Sequence, residues 1–568
     1  MKTNLISIIS FIALVIFPFD ASAFEKDGLN YEIDNSGNAI VTSVVDKDIY
    51  TCEIKSPVED GGKEYPVTAI GKNAFYNCDK LYKVVLPNSL VSIGEWAFFG
   101  CSELNQISLN NTSITEIGNY AFSLCSSLTS IDLPTSLKTI GRSAFSSSGL
   151  TTITIPEAVT TIGNSAFASC GDLAEIKSNN STFSAPDNCN AIIQGNTLLF
   201  GCKNTNNIPN GITTIGDNAF YGCSGLRKVE FLPSTITTIG DWAFFSCDNL
   251  YKVILPEGLT KIGGYAFSLC SNLKNIDLPE SLISIGRSCF SSSALTAIEI
   301  KKNVNSIGES AFASCESLDS IKVTAPDDSR YDSRDNCNAI IQRSTNVLIV
   351  GCKKTKIPSS VKEIGANAFY GSAIESIEIP SSVTTIGEWA FFSCGKLTNI
   401  SLSNNLQYID KYAFSLCSRL ESISFPATLQ DIGTNAFSSC KKLTNVWANM
   451  QNPQDIQEDV FEISVYNNAT LHVPSGTTSH YQNATGWKEF NNIVEFDPSG
   501  IATPTIAFQR IYSDNGVLFI ESVTDGSCNI YSVSGQLMRR LALKKGTNTI
   551  CGLSKGIYIV NGQKTMVK

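Results

Sequence analysis

The sequence predicts a repeat solenoid of 22–24-residue coils followed by a small all-β sandwich. Three observations carry this. An Ile-Gly pair (Ile-Asp once) recurs fourteen times: at Ile70, Ile93, Ile117, Ile140 and Ile162, at Ile215, Ile239, Ile262, Ile285 and Ile307, and at Ile364, Ile386, Ile409 and Ile432. The step within each group is 22–24 residues, and the two steps between groups are 53 and 57. Such a period means stacked units, each burying its apolar face against its neighbours. After residue 505 the period gives way to short strand-like runs separated by turn dipeptides.

The chain starts MKTNLISIISFIALVIFPFDASAFEK. Lys2, an apolar run from Leu5 to Phe19 and the small-residue site Ala21-Ser22-Ala23 predict a secretory signal peptide over 1–23, with the mature chain starting at Phe24. The run is short for a membrane span, and no transmembrane segment is expected in the mature chain. Residues 24–66 alternate apolar and polar residues around the turn signals NSGN and EDGGKEYP, which predicts a β-rich N-terminal cap.

One coil shows the grammar of 67–445. In LTSIDLPTSLKTIGRSAFSSS (128–148), Leu128, Ile131 and Leu133 form L-x-x-I-x-L, the strand signature of leucine-rich repeats. Pro134 ends that strand because it has no N–H for the ladder. Leu137 and Ile140 line a second short strand, and Gly141 is expected to bend the chain at positive φ. Ala144-Phe145 then point inward on a short helical turn. Eleven cysteines follow A-F-x-x-C: Cys78, Cys101, Cys125, Cys170, Cys223, Cys247, Cys270, Cys315, Cys394, Cys417 and Cys440. A fixed place in a repeat makes them buried, reduced, apolar fillers rather than disulfide partners.

The long intervals hold related inserts, SAPDNCNAIIQGNTLLFGCKNTNN and DSRDNCNAIIQRSTNVLIVGCKKTK, each predicted to be a hairpin between coils. The pairs Cys189/Cys202 and Cys337/Cys352 are placed where a hairpin disulfide could close, as could Cys528/Cys551 further on. A block of about 147 residues thus occurs nearly three times, as 70–214, 215–363 and 364–445. Residues 446–496 lose the period and predict a strand, a short helix and a closing strand that cap the array. DPSGIATPT (497–505) opens a linker reaching 509, and 510–568 read as the sandwich, with hairpin turns at Ser534-Gly535 and Asn561-Gly562.

The formal charge of −10 argues against nucleic acid or an anionic membrane as the main partner. No C-x-x-C pair occurs, and His472 and His480 are the only histidines, so neither a metal nor a catalytic base is assigned. DDSRYDSRD (327–335) reads as a solvated acidic loop rather than a Ca²⁺ site. No phosphate-binding motif is present, so no catalytic residue and no cofactor are expected. The remaining feature is aromatic. IGEWAFFGC (93–101) returns as IGDWAFFSC (239–247) and IGEWAFFSC (386–394). The position before Ala and the position after Phe accept both Ser and large aromatics, so both columns should lie at the surface. Adjacent coils then gather three candidate contact patches: Tyr76, Trp96, Phe99 and Tyr120; Tyr221, Trp242, Phe245 and Tyr265; Tyr370, Trp389, Phe392 and Tyr412. Roughly 30 Å is expected between successive patches at strand spacing.

The coil I-G-x-x-A-F-x-x-C-x-x-L-x-x-I-x-L-P resembles the BspA-like leucine-rich repeat family of bacterial surface proteins, over about 70–496. The inserts with DNCNAII and GCK resemble its irregular coils, and TLHVP with GWKEFNNIVE its array ending. IYSVSGQLMRR and LSKGIYIV are similar to a type IX secretion C-terminal sorting domain. The resemblance implies a secreted protein of the bacterial cell surface, attached at the outer membrane, and adhesion to host matrix protein or to another cell. The reading carried from the sequence is a non-enzymatic adhesin or protein-binding module. The alternative is a surface module that captures glycan or peptide for nutrition.

Overall fold

The computed structural model describes residues 23–186, 189–324, 329–497, 508–514, 516–523, 526–532, 537–551, 553, 555–560 and 563–567. The signal-peptide core and the turns at Ser534-Gly535 and Asn561-Gly562 lie outside the described residues. The chain divides into two compact units, Met1–Cys289 and Phe290–Lys568.

In the first unit Ala23–Lys26, Leu29–Ile33 and Ala39–Val44 form an antiparallel meander. Ala39–Val44 then runs parallel to Val67–Ile70, which starts a ladder of coil strands. The isoleucines stand in register, Ile70↔Ile93↔Ile117↔Ile140↔Ile162. The insert is a hairpin of Ala191–Gln194 and Thr197–Gly201, whose second strand pairs with Thr214–Ile215 and begins a second ladder, Leu198↔Ile215↔Ile239↔Ile262↔Ile285. Short parallel strands form the opposite wall, as in Lys83–Val85 and Gln106–Ile107 of the coils, which Thr51–Glu53 of the N-terminal segment extends. The second unit repeats the scheme. Its hairpin Ala339–Gln342/Val347–Gly351 leads into Leu348↔Ile364↔Ile386↔Ile409↔Ile432. Its other wall continues through Ser422–Phe425, Asn445–Ala448, Thr470–Pro474 and Asn492–Phe496. The helices Ile463–Asn468 and Thr478–Asn483 lie among these last strands. Beyond them, among the described residues, seven strands make two antiparallel sheets, with Leu518, Ile520, Ile530, Tyr558 and Val560 in their core.

Between the two walls of each coil the A-F segment is not helical. Its amides alternate. Asn73, Phe75 and Asn77 donate to the next coil, at Glu95 O (3.0 Å), Ala97 O (2.7 Å) and Phe99 O (2.8 Å). Ala74, Tyr76 and Cys78 close turns within their own coil, to Gly71 O, Asn73 O and Phe75 O. A helix spends every N–H internally, so a segment that gives half of its amides to a neighbour cannot be one. Turns of this kind require left-handed φ at the third residue. That residue is the one before Ala, with φ of 59° at Asn73, 60° at Trp96, 57° at Tyr120 and 52° at Ser143.

The expectation for Gly141 is therefore corrected. Its φ lies outside the left-handed region, and the positive φ falls on Ser143. Glycine is needed there for close approach: a Cβ on Gly141 would lie 2.5 Å from Asn119 N, and one on Gly118 2.6 Å from Glu95 N. Inside the coils the phenylalanines stack face to face. Ring centroids are 4.9 Å apart for Phe75–Phe98, 5.3 Å for Phe98–Phe122 and 5.4 Å for Phe122–Phe145. In the second unit Phe369–Phe391, Phe391–Phe414 and Phe414–Phe437 are 4.8, 5.1 and 5.1 Å apart.

The column cysteines are buried thiols, and more than fillers. Cys101 Sγ donates to Phe75 O at 3.1 Å, Cys125 to Phe98 O at 3.2 Å, and Cys394 to Phe369 O at 3.0 Å. Each tie runs to the preceding coil and occupies a carbonyl. Burial pushes the Cys78 thiol up to about 11 and that of Cys125 to about 12. Cys202 and Cys352 are thiols donating to Asn190 O and Asn338 O, both at 3.4 Å, and are not bridged to Cys189 and Cys337. Cys528 and Cys551 are likewise separate thiols, Cys551 exposed.

Two outcomes follow. Phe145→Ala should lower stability by about 3–5 kcal/mol, and Gly118→Ala by at least about 1 kcal/mol because backbone must shift to admit one methyl, both read by denaturant unfolding. Iodoacetamide at pH 8 without denaturant should label Cys551 and leave Cys101, Cys125 and Cys394 unmodified, since thiols titrating well above 8.5 hold little thiolate. Peptide mass spectrometry reads it, and a Cys101–Cys125 crosslink in most molecules would contradict it.

Candidate functional site

The alternating turn presents one side chain outward from each left-handed residue. In the first unit this column reads Asn73, Trp96, Tyr120, Ser143 and Ser165, then Asn218, Trp242, Tyr265 and Ser288. Left-handed backbone costs a non-glycine residue roughly 1–2 kcal/mol, least for Asn. Asn73 and Asn218 fit that preference, whereas the indole and phenol rings do not. All twelve candidate aromatics are half-buried, and each set of four is in mutual contact.

In the first cluster Trp96 lies 6.1 Å from Tyr76, 4.8 Å from Phe99 and 4.7 Å from Tyr120, and Tyr76 stacks on Phe99 at 5.2 Å. The second places Trp242 at 6.2 Å from Tyr221, 4.7 Å from Phe245 and 4.1 Å from Tyr265. The third, within the second unit, places Trp389 at 6.4 Å from Tyr370, 4.5 Å from Phe392 and 4.4 Å from Tyr412. Charges frame the rings. The Arg142 guanidinium lies 5.9 Å from the Tyr120 centroid and that of Arg287 6.0 Å from Tyr265. The Lys72 ammonium, 2.8 Å from Glu95, and the Trp96 side chain hold the Glu95 carboxyl below its ordinary range. Glu388 accepts a hydrogen bond from Trp389 Nε1 at 2.6 Å and pairs with Lys411 at 3.1 Å.

Two expectations about these columns are corrected. Ser123, Ser143, Ser268, Ser288 and Ser415 are buried, so the columns are not surface throughout. A hydroxymethyl group does not reach out of the turn ladder, while an indole at the same backbone position does. The spacing of the first two clusters also shortens. Ser169 N donates to Tyr221 O at 2.6 Å, so the turn ladder runs past the hairpin insert without a gap. Trp96 and Trp242 are then five coil steps apart, roughly 24 Å at strand spacing.

Sequence reasoning missed Leu124, Leu269 and Leu416. Each has left-handed φ, is 41–45 % exposed, and follows the Tyr of its cluster by four residues. The sign was available, as leucine in a column otherwise filled by Asn, Gly and Ser. His472 is half-buried and stacked on Trp447 at 3.8 Å, with burial holding its pKa below the ordinary value. His480 is exposed, with Nδ1 2.7 Å from Gln451 O. In the acidic segment Asp327 and Asp328 lie outside the described residues. Asp332 is not solvated: it is buried and paired with Arg334 at 2.7 Å and Arg343 at 3.3 Å. No cluster of three potential metal ligands occurs among the described residues.

The profile of the family described as BspA type leucine rich repeat region matches residues 68–194, 195–319 and 349–468, in six copies. Among solved structures, the chain is similar to a leucine-rich repeat protein of Bacteroides ovatus, at 29 % identity over 75 % of this chain and 94 % of that one, with a TM-score of 0.41. It is also similar to a leucine-rich cell surface protein of Faecalibacterium prausnitzii, at 23 % identity over 82 % and 98 %, with a TM-score of 0.45. The pneumococcal vaccine antigen PcpA matches at 16 % identity over 84 % and 99 %, with a TM-score of 0.29. No curated protein matches. With the family profile covering well over half of its residues, the chain belongs to the BspA-type leucine-rich repeat family.

Proposed function

We propose that this protein is an exported adhesin of the bacterial cell surface, which holds a protein ligand on host matrix or on another cell through its three aromatic clusters. The observation that carries the reading is the threefold recurrence of one ring arrangement built on a Trp in left-handed backbone. The conformational cost of that Trp is roughly 1–2 kcal/mol, and its three ring pairs, at about 0.5–1.5 kcal/mol each, offset it. Asn or Ser serves the same backbone position at Asn73, Ser143 and Ser165, so the coil itself does not require an indole there. Half-exposed Trp and Tyr, with Arg beside the first two clusters, are the residue types that dominate the energetics of protein interfaces.

Repetition fits weak single contacts that add through effective concentration. Leucine-rich repeat solenoids are in general binding scaffolds rather than catalysts, and no helix among the described residues is long and apolar enough to cross a membrane. Export in this reading rests on the signal-peptide pattern of 1–23. Attachment at the outer membrane rests on the likeness of 510–568 to a sorting domain, whose removal on attachment belongs to the same proposal.

The test is Trp96→Ser, Trp242→Ser and Trp389→Ser combined, Ser being the residue that Ser143 places on the same backbone. The melting temperature should move by only a few degrees, while binding of protein-coated beads or host cells should fall by about tenfold or more, as expected when three contacts of a multivalent set are lost together. Normal adhesion in the folded triple variant would overturn the proposal, and so would global unfolding, which would make the rings structural.

A further inference from the structure

The three clusters differ in what lies beside them. Next to the first, a groove of about 710 Å³ opens between the N-terminal meander and the first coil. Two local facts create it. The strand Ala39–Val44 ends where Val44 N donates to Ala74 O at 3.1 Å, and the chain then turns away from the turn ladder. The residue preceding Trp96 in the left-handed column is Asn73, which is exposed and too short to cover an indole. Trp96 is therefore stacked on Tyr120, tilted against Tyr76 and Phe99, and part of the groove lining. At the other clusters a further coil stands where the meander stands here: Ser169 N donates to Tyr221 O at 2.6 Å, and Ser314 N to Tyr370 O at 2.7 Å.

The lining selects a ligand class. Trp96 and Tyr76 supply an aromatic wall. The polar groups are of both signs and mostly balanced. Lys72 is paired with Glu95, and Lys47, which follows Asp46 and precedes Asp48, donates to Tyr76 O at 3.2 Å over the Tyr76 ring. The lining keeps one positive charge, on Lys47, and a single ammonium already bonded to a backbone carbonyl is not the multi-point cradle that holds an anion. An extended peptide adding to the ladder edge would need a run of open backbone groups there, yet two of the three edge carbonyls, Ala74 O and Tyr76 O, are already taken by Val44 and Lys47. Hydroxyl chemistry remains. Ser43 Oγ accepts from Asn30 Nδ2 at 2.8 Å and keeps its own proton to donate, while Thr42 Oγ1 donates to Asn30 O at 3.2 Å and keeps lone pairs to accept.

We propose that this groove is a binding site for a neutral saccharide, with the C–H face of one sugar ring stacked on Trp96 and its hydroxyls bonded to Ser43, Thr42 and Lys47. A flat apolar face with a few convergent donors and acceptors is the general composition of a small-ligand site, and a pyranose presents the complement. The site shares Trp96 and Tyr76 with the first adhesive cluster, and its opposite wall belongs to the meander.

Isothermal titration of the full chain tests it with maltotetraose, cellotetraose, laminaritetraose and mannotetraose, beside the acidic hyaluronan tetrasaccharide. At least one neutral probe should bind. Trp96→Ser and Lys47→Met, each checked for an unchanged circular dichroism spectrum, should each weaken it by about tenfold, equivalent to about 1.4 kcal/mol. Tyr50→Ala, an exposed aromatic outside the groove lining, should bind as the unmodified chain does. The proposal is overturned if no neutral tetrasaccharide binds, if only hyaluronan binds, or if folded Trp96→Ser and Lys47→Met keep full affinity. Adhesion is read separately on cells, and Lys47→Met alters the groove while keeping all twelve cluster rings, so loss of saccharide binding with adhesion retained, or the reverse, distinguishes the two readings.

Discussion

Everything in the coils depends on how the turn segment divides its amides. Every second N–H is given to the next coil and every other one closes a turn within its own. A buried backbone amide left without a partner costs about as much as a lost hydrogen bond, so the division dictates backbone conformation. The residue before Ala must take left-handed φ, and so must the residue four places later, as in Asn73 and Asn77 or Tyr120 and Leu124. The coils must also approach closely, which leaves glycine after the ladder isoleucine at Gly118 and Gly141. The Phe column is then set at stacking distance, and the cysteine Sγ reaches back to the Phe carbonyl of the preceding coil.

The same division frees certain positions. A residue in the turn ladder whose backbone is fully committed can carry Asn, Ser, Tyr or Trp, because its side chain leaves the ladder instead of entering the core. Small side chains there are covered by their neighbours and large ones emerge. The solenoid thus offers outward sites whose occupants do not disturb the stack, at the modest cost of a left-handed backbone. Three such sites hold Trp, each with Tyr on the following coil. Copying a block of about 147 residues multiplied that surface along with the packing.

The N-terminal meander does more than close the first coil. It satisfies the open carbonyl of Ala74 and places Lys47 over Tyr76. It also makes the surroundings of Trp96 unlike those of Trp242 and Trp389, which follow further coils. A repeat protein gains local differences most readily at its ends, where one neighbour of the regular unit is replaced by something else.

The coil period, the inward apolar positions, the hairpin inserts and the strand–helix–strand ending were legible in the amino-acid sequence. Each depends on which residues are buried, and burial at fixed spacing writes itself as periodicity. The recurring Trp nonamer was legible for the same reason. Tertiary structure alone decided why Gly141 is glycine, since the obstacle is the backbone of Asn119 in another coil and not its own φ. It alone showed that the A-F segment is a run of turns, because the acceptors that prevent a helix lie in the next coil, 21–23 residues away where no insert intervenes. It showed that Cys101 serves as a donor to Phe75 O, and that Ser169 meets Tyr221 across an insert that the sequence places between them. The groove beside Trp96 was equally unreadable, for its walls come from segments about thirty to fifty residues apart that only the parallel pairing of Ala39–Val44 with Val67–Ile70 brings together. Periodicity reports which face of a segment is inside; the partner on the other side of a contact is fixed only when the chain has folded.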